Sequence, residues 1–215
     1  TNDELVVDTT DGGNVAAGAA VTFNGTVESA PSNTDRGLTV TAGSGDVTFA
    51  DAVGGTTDAT ALGLIDINTS GLTDFQSTVR TTDIDTDVGG TVELGGTVTI
   101  TGVDEAAFNE AVIVVATTTI NASGALLFGS TVDSAANQSN ALTIDTDGAV
   151  TFMDAVGGTA AATELGALVV NTADLTDFQS TVRAASVVTD ADGTVKLGGN
   201  VTATGAGGVV LNDAA

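Results

Sequence analysis

The side chains best equipped for chemistry in this chain are carboxylates: 28 Asp and Glu stand against four Lys and Arg, and His, Cys, Trp and Tyr are absent. The usual general base, covalent nucleophile and sugar-stacking ring are therefore missing together. What carboxylates alone can do is gather a hard cation, or act as an acid and base pair on a glycosidic bond. The strongest cation candidate is Asp83-Ile-Asp-Thr-Asp87, in which Asp83, Asp85 and Asp87 alternate and so point to one side of a strand. Ca²⁺ is one reading of that run and a solvated acidic face is the other. Neither the GGxGxD nonapeptide nor an EF-hand loop is present. Most other Asp residues sit in turn-like settings such as Thr86-Asp87-Val-Gly-Gly90 and Thr189-Asp-Ala-Asp-Gly193, where Asp closes a turn. Nothing in this inventory supports an enzyme, and no further cofactor is implied.

The elements that position these residues follow from one recurring phrase. It consists of an apolar residue, any residue, Phe or Leu, three small or polar residues, then Val, as in Val21-Thr-Phe23-Asn-Gly-Thr-Val27 and Val92-Glu-Leu94-Gly-Gly-Thr-Val98. The slot is filled by Phe23, Phe49, Phe75, Leu94, Phe108, Phe128, Phe152, Phe178, Leu197 and Leu211, at intervals of 26, 26, 19, 14, 20, 24, 26, 19 and 14 residues. Period-two spacing before the slot places two side chains on one strand face, and the small residues after it suit a tight corner. The interval series restarts after five steps. Residues 72–80 (LTDFQSTVR) recur unchanged as 175–183, and 51–56 (DAVGGT) as 154–159, both 103 residues on.

Two nested periods indicate repeats that stack because no single unit buries its own apolar face. The predicted fold is all-β, a parallel β-solenoid with a right-handed β-helix favoured by the uneven coil lengths, and about eight to ten coils. Residues 1–104 form its first repeat unit and 105–215 its second, in one continuous rod. The 14-residue intervals are short for a full circuit, which points to the lower coil number. Phe23, Phe49, Phe75, Phe128, Phe152 and Phe178 are expected buried in a single interior column. Thr56 to Leu62 and its counterpart Thr159 to Leu165 read as loops, and Arg80 and Arg183 are expected to pair with acidic residues on an adjacent rung.

The formal net charge is −24 with a pI near 4.1, a balance that repels nucleic acid and anionic membranes. A hydrophobic content of 42% and a mean hydropathy of +0.31 assign that charge to a folded surface instead of a disordered chain. No apolar run is long enough to insert directly into a membrane. Thr-x-Thr pairs at Thr39/Thr41, Thr97/Thr99/Thr101, Thr117/Thr119 and Thr202/Thr204 are similar to the threonine arrays of ice-binding solenoids, but outward Thr is far more often mere β-propensity and most phrases lack the pair. Sequons at Asn24, Asn68, Asn121, Asn137 and Asn200 are no more than a Thr-rich chain supplies by chance. Thr1 falls inside the repeat pattern and 211–215 form an unfinished phrase, so the chain is expected to continue in a longer polypeptide or to meet copies of itself.

With VTFNGTV, VTFADAVGGT, LTDFQSTV and VELGGTVTITG in view, the chain resembles the β-strand-repeat surface proteins of bacteria, akin to filamentous-haemagglutinin-like adhesins. The resemblance covers essentially all of it. It implies a secreted or surface-anchored β-helical rod, located outside the cell, that serves as an adhesin stalk, filament or matrix component. Copies of itself end to end, and surface glycans or matrix, would be its partners. The alternatives from other classes are a carbohydrate-active β-helix enzyme and a Ca²⁺- or ice-binding module.

Overall fold

Residues 4–30, 36–158 and 161–213 are described by the computed structural model. They contain 21 strands and a single 3-10 turn, Asp58–Thr60. Each strand is short, most run three to five residues, and buried and outward positions alternate along them, as in Val47–Phe49, Ala106–Phe108 and Val150–Phe152. All the strand pairs are parallel, so successive turns of the chain lie in register and the molecule is a parallel β-solenoid of about eight turns.

Three walls are visited in a constant order on each turn. On the first wall a column runs without a break through Val21, Val47, Thr73, Val92, Val112, Val132, Val156, Val182 and Val201. The second wall stacks Val27, Val53, Val79, Val98, Ile120, Ile144, Val170 and Thr189. The third stacks Val7, Val40, Ile67, Thr86, Phe108, Phe128, Phe152, Phe178 and Leu197. β-branched side chains suit these columns because each lies against an identical or similar neighbour one rung away. The three columns enclose one continuous core.

The aromatic rings form two stacks, which corrects the expectation of a single column. Phe23, Phe49 and Phe75 lie on the first wall, with ring centroids 4.8 and 5.0 Å apart and planes within 8° of parallel. Phe108, Phe128, Phe152 and Phe178 lie on the third, at 4.9–5.6 Å. The physical reason is the 14-residue step from Leu94 to Phe108, which passes only the second wall before the slot recurs on the third. Two thirds of a circuit carry the phrase from one wall to another. The same step from Leu197 to Leu211 again spans two walls.

The consequence is a rotated duplication. Phe49 and Phe152 are equivalent in sequence, yet four and two-thirds turns separate them, and the second unit repeats the first turned by one wall. The ladders continue through residues 104 and 105 without interruption.

Two smaller expectations are also revised. Phe23 is half-buried because only Phe49 covers it, whereas Phe49, Phe75, Phe108, Phe128, Phe152 and Phe178 are fully buried. The segment from Thr56 to Leu62, read as loop, contains the 3-10 turn at Asp58–Thr60. In its counterpart, Thr159 and Ala160 lie outside the described residues.

Corners are closed by buried threonines. Thr69, Thr146 and Thr172 donate from Oγ1 to the carbonyls of Gly45, Gly124 and Gly148 at 2.5, 2.6 and 2.7 Å. Each satisfies a backbone acceptor one rung away that the bend removes from the ladder.

Candidate functional site

The alternating carboxylates do not share one face. Asp83 and Asp85 lie on the outer side of the strand Val79–Thr86, as their spacing predicts, with Asp85 in register with Asp66 on the preceding rung. Asp87 follows the strand's last residue and turns into the corner, where its Oδ1 accepts from the Thr69 N–H at 3.2 Å. Among the described residues no group of three or more Asp or Glu side chains is placed to hold a metal ion. Burial raises the pKa of all three, most strongly opposed by the Ile84 N–H at Asp83, the Asn109 amide at Asp85 and the Thr69 N–H at Asp87.

Asp87 instead faces Glu110, which the sequence reading did not single out. Glu110 follows the strand Ala106–Phe108 and is only 1% exposed, with neither carboxylate oxygen meeting a hydrogen-bond donor. Burial lifts its pKa to about 8, and the neighbouring charge of Asp87 adds to the shift. The Thr86 hydroxyl beside it offsets part of this without reaching bonding geometry. That hydroxyl already accepts from the Asn109 N–H at 3.0 Å, while the Asn109 amide donates to Asp85 Oδ1 and the Thr86 carbonyl.

Gly90 explains how a carboxylate fits here. A Cβ on Gly90 would lie 2.1 Å from Glu110 Oε2, 2.5 Å from the Gly71 carbonyl oxygen and 2.8 Å from that of Thr69. Any larger residue would occupy the space that Glu110 takes.

The whole arrangement recurs one duplication later. Thr172, Thr189, Asp190, Gly193, Asn212 and Asp213 replace Thr69, Thr86, Asp87, Gly90, Asn109 and Glu110. Asp190 Oδ1 accepts from the Thr172 N–H at 3.4 Å, and Asn212 bonds Thr189 through the same two contacts at 3.2 and 2.7 Å. Asp213 is 8% exposed with no donor in bonding geometry, and burial again raises its pKa; the Thr189 hydroxyl beside it offsets part of this, and Asp190 and Asp192 add to the rise. A Cβ on Gly193 would press against the Asp174 and Thr172 carbonyl oxygens at 2.3 and 2.6 Å. The signal was legible: of Asp83, Asp85 and Asp87, only Asp87 keeps its carboxylate at the equivalent position, the others becoming Ser186 and Val188.

The outer faces carry mixed polar ladders. Thr39, Asp66 and Asp85 stack on the third wall, and Thr99, Asn121, Asp145 and Asn171 on the second. Outward threonines are thus interrupted by Asp and Asn instead of forming a continuous array. A shallow hollow of about 240 Å³ on the second wall includes Asp145 and Asp147 and is lined by no basic or aromatic residue. Arg80 pairs with Asp58 at 2.5 Å and Arg183 with Glu164 at 3.0 Å, each partner lying in the insertion one rung earlier, as expected. No helix among the described residues is long and apolar enough to cross a membrane. Comparison with protein-family models, with curated proteins and with solved structures finds no match to this chain.

Proposed function

We propose that this chain is a structural rod outside the cell, a repeat segment of a surface filament or adhesin stalk that spans distance and propagates end to end. The observation that carries the reading is the unbroken first-wall column from Val21 to Val201. Such a column transmits axial load through successive rungs of parallel hydrogen bonds. Eight steps of about 4.8 Å give a length of roughly 38 Å.

Leu5 and Val6 on the strand Leu5–Asp8, and Val209 and Val210 on Val201–Val210, are exposed, and among the described residues each of these strands is paired on one side only. A further rung of the same kind satisfies both, whether it comes from the same polypeptide or another copy. Head-to-tail contacts of that sort do not close, and they generate filaments. The −24 charge keeps rods apart laterally, so single fibres form before bundles, and salt or divalent cations promote bundling. Surface glycans or matrix are the binding partners this role implies.

Electron microscopy of the purified protein tests the reading. Thin rods or fibres with an axial period set by the 215-residue unit are expected. A monodisperse particle that remains a single short unit at high protein concentration and high salt contradicts propagation.

A further inference from the structure

We propose that the corner built from Asp87 and Glu110, and its duplicate built from Asp190 and Asp213, each bind one hard divalent cation, Ca²⁺ being the ion whose coordination suits them. The first reason is a surplus of acceptors. Glu110 is buried with both oxygens unpartnered, and beside it lie the Asp87 carboxylate, the main-chain oxygens of Thr69 and Gly71, and a single donor, the Thr86 hydroxyl, held outside bonding geometry. A buried carboxylate whose neighbouring acceptors outnumber its donors calls for a positive centre or a proton. The donor set is all oxygen, two carboxylates with neutral carbonyls, which selects Ca²⁺ or Mg²⁺ over softer metals. Mg²⁺ retains several of its waters, whereas a corner built from a buried carboxylate and main-chain carbonyls favours the ion that accepts such oxygens in irregular geometry.

The second reason is the duplication. Asp213 is likewise buried with no donor in bonding geometry, Asp190 and the Thr189 hydroxyl lie beside it, and around Gly193 the Thr172 and Asp174 carbonyls occupy the places that those of Thr69 and Gly71 hold around Gly90. The two corners lie on different walls of the solenoid. Their shared composition therefore follows the repeat unit and not one local accident of the surface. Gly90 leaves the space that Glu110 takes, and Gly193 at the equivalent position leaves no room for a Cβ beside the Thr172 and Asp174 carbonyls. The proposal does not depend on the rod reading, since a cation could bind in a segment of any role.

Isothermal titration of Ca²⁺ into the chelator-stripped 215-residue protein at pH 7.5 and 0.15 M salt tests it, the salt suppressing diffuse binding to the acidic surface. Two sites per chain are expected, with one lost in Glu110→Gln, one lost in Asp213→Asn and both lost in the double variant. The melting temperature of the unmodified protein should rise by several degrees with Ca²⁺, and by less with Mg²⁺ at equal concentration. Unchanged stoichiometry in both single variants overturns the assignment. So does a stripped protein whose melting temperature ignores Ca²⁺ but rises on Glu110→Gln, because the corner then holds a proton. The melting measurement keeps the test decisive if the double variant does not fold.

Discussion

The two repeat units share long stretches of sequence and occupy different walls. LTDFQSTVR places Phe75 on the first wall at its first occurrence and Phe178 on the third at its second. Both rings are nonetheless buried, and each stacks on the Phe of the preceding rung at 5.0 and 4.9 Å. The walls of this solenoid are therefore interchangeable for this phrase, which packs on a like phrase of the preceding rung equally well on either wall. The partners beyond them differ. In the first unit Asp74 is in register with Glu93, and burial and the Asp74 charge raise the pKa of Glu93. In the second, Lys196 replaces Glu93 and pairs with Asp177 at 2.9 Å.

The largest effect that sharpens this comparison comes from the rings. Phe75→Ala and Phe178→Ala should each destabilise by about 3–5 kcal/mol, and by similar amounts, in chemical denaturation. A clear inequality would show that the walls are not equivalent.

Next in size is the buried carboxylate. Glu110 has a folded pKa of about 8 against an ordinary 4.5, so between those values the folded state holds the extra proton. Stability is greatest below pH 4.5 with respect to this group and falls as pH rises through 8. In chelator, Glu110→Gln should remove that slope and stabilise the protein at pH 8, by at most roughly 4 kcal/mol at about 1.36 kcal/mol per unit. Melting curves across the pH range check it; a slope unchanged in the variant contradicts it.

Thr73 and Thr176 offer a matched pair of smaller changes. Both are fully buried, Thr73 between Val47 and Val92 and Thr176 between Val150 and Val195, and neither hydroxyl has a partner. Replacement by the isosteric Val should stabilise each by about 1–2 kcal/mol, read as a shift in denaturation midpoint. A loss of stability would mean the hydroxyls are bonded.

The smallest expected change converts one unit into the other. Glu93→Lys sets a cation beside Asp74, as Lys196 stands beside Asp177, and should gain about 0.2–1 kcal/mol. Raising the salt should erase the gain.

The fold was legible because its signal is local: a period of two around each slot, and Gly, Asp or Asn at the corners. Which wall each slot occupies is a matter of accumulated path length, and assigning every Phe to one column overlooked that Leu94 to Phe108 passes only two walls. The acidic corner was less legible. Asp83, Asp85 and Asp87 alternate as strand residues do, but the strand ends at Thr86, and the following bend sends Asp87 away from the other two. Glu110 looks like any surface glutamate beside a strand. Its burial comes from residues some twenty and forty positions earlier, which only the rung-to-rung register brings near.

The rotation of one unit against the other is tested most directly by engineered disulfides, since the chain has no cysteine of its own. Ala107 is in register with Asp85, whereas a single Phe column would set it above Glu93. In-register neighbours on adjacent parallel strands lie about 4.8 Å apart, within the reach of a disulfide. Under mild oxidation the pair Asp85→Cys and Ala107→Cys should close within the monomer, and the pair Glu93→Cys and Ala107→Cys should stay open. Closure of the second pair and not the first would contradict the rotated arrangement.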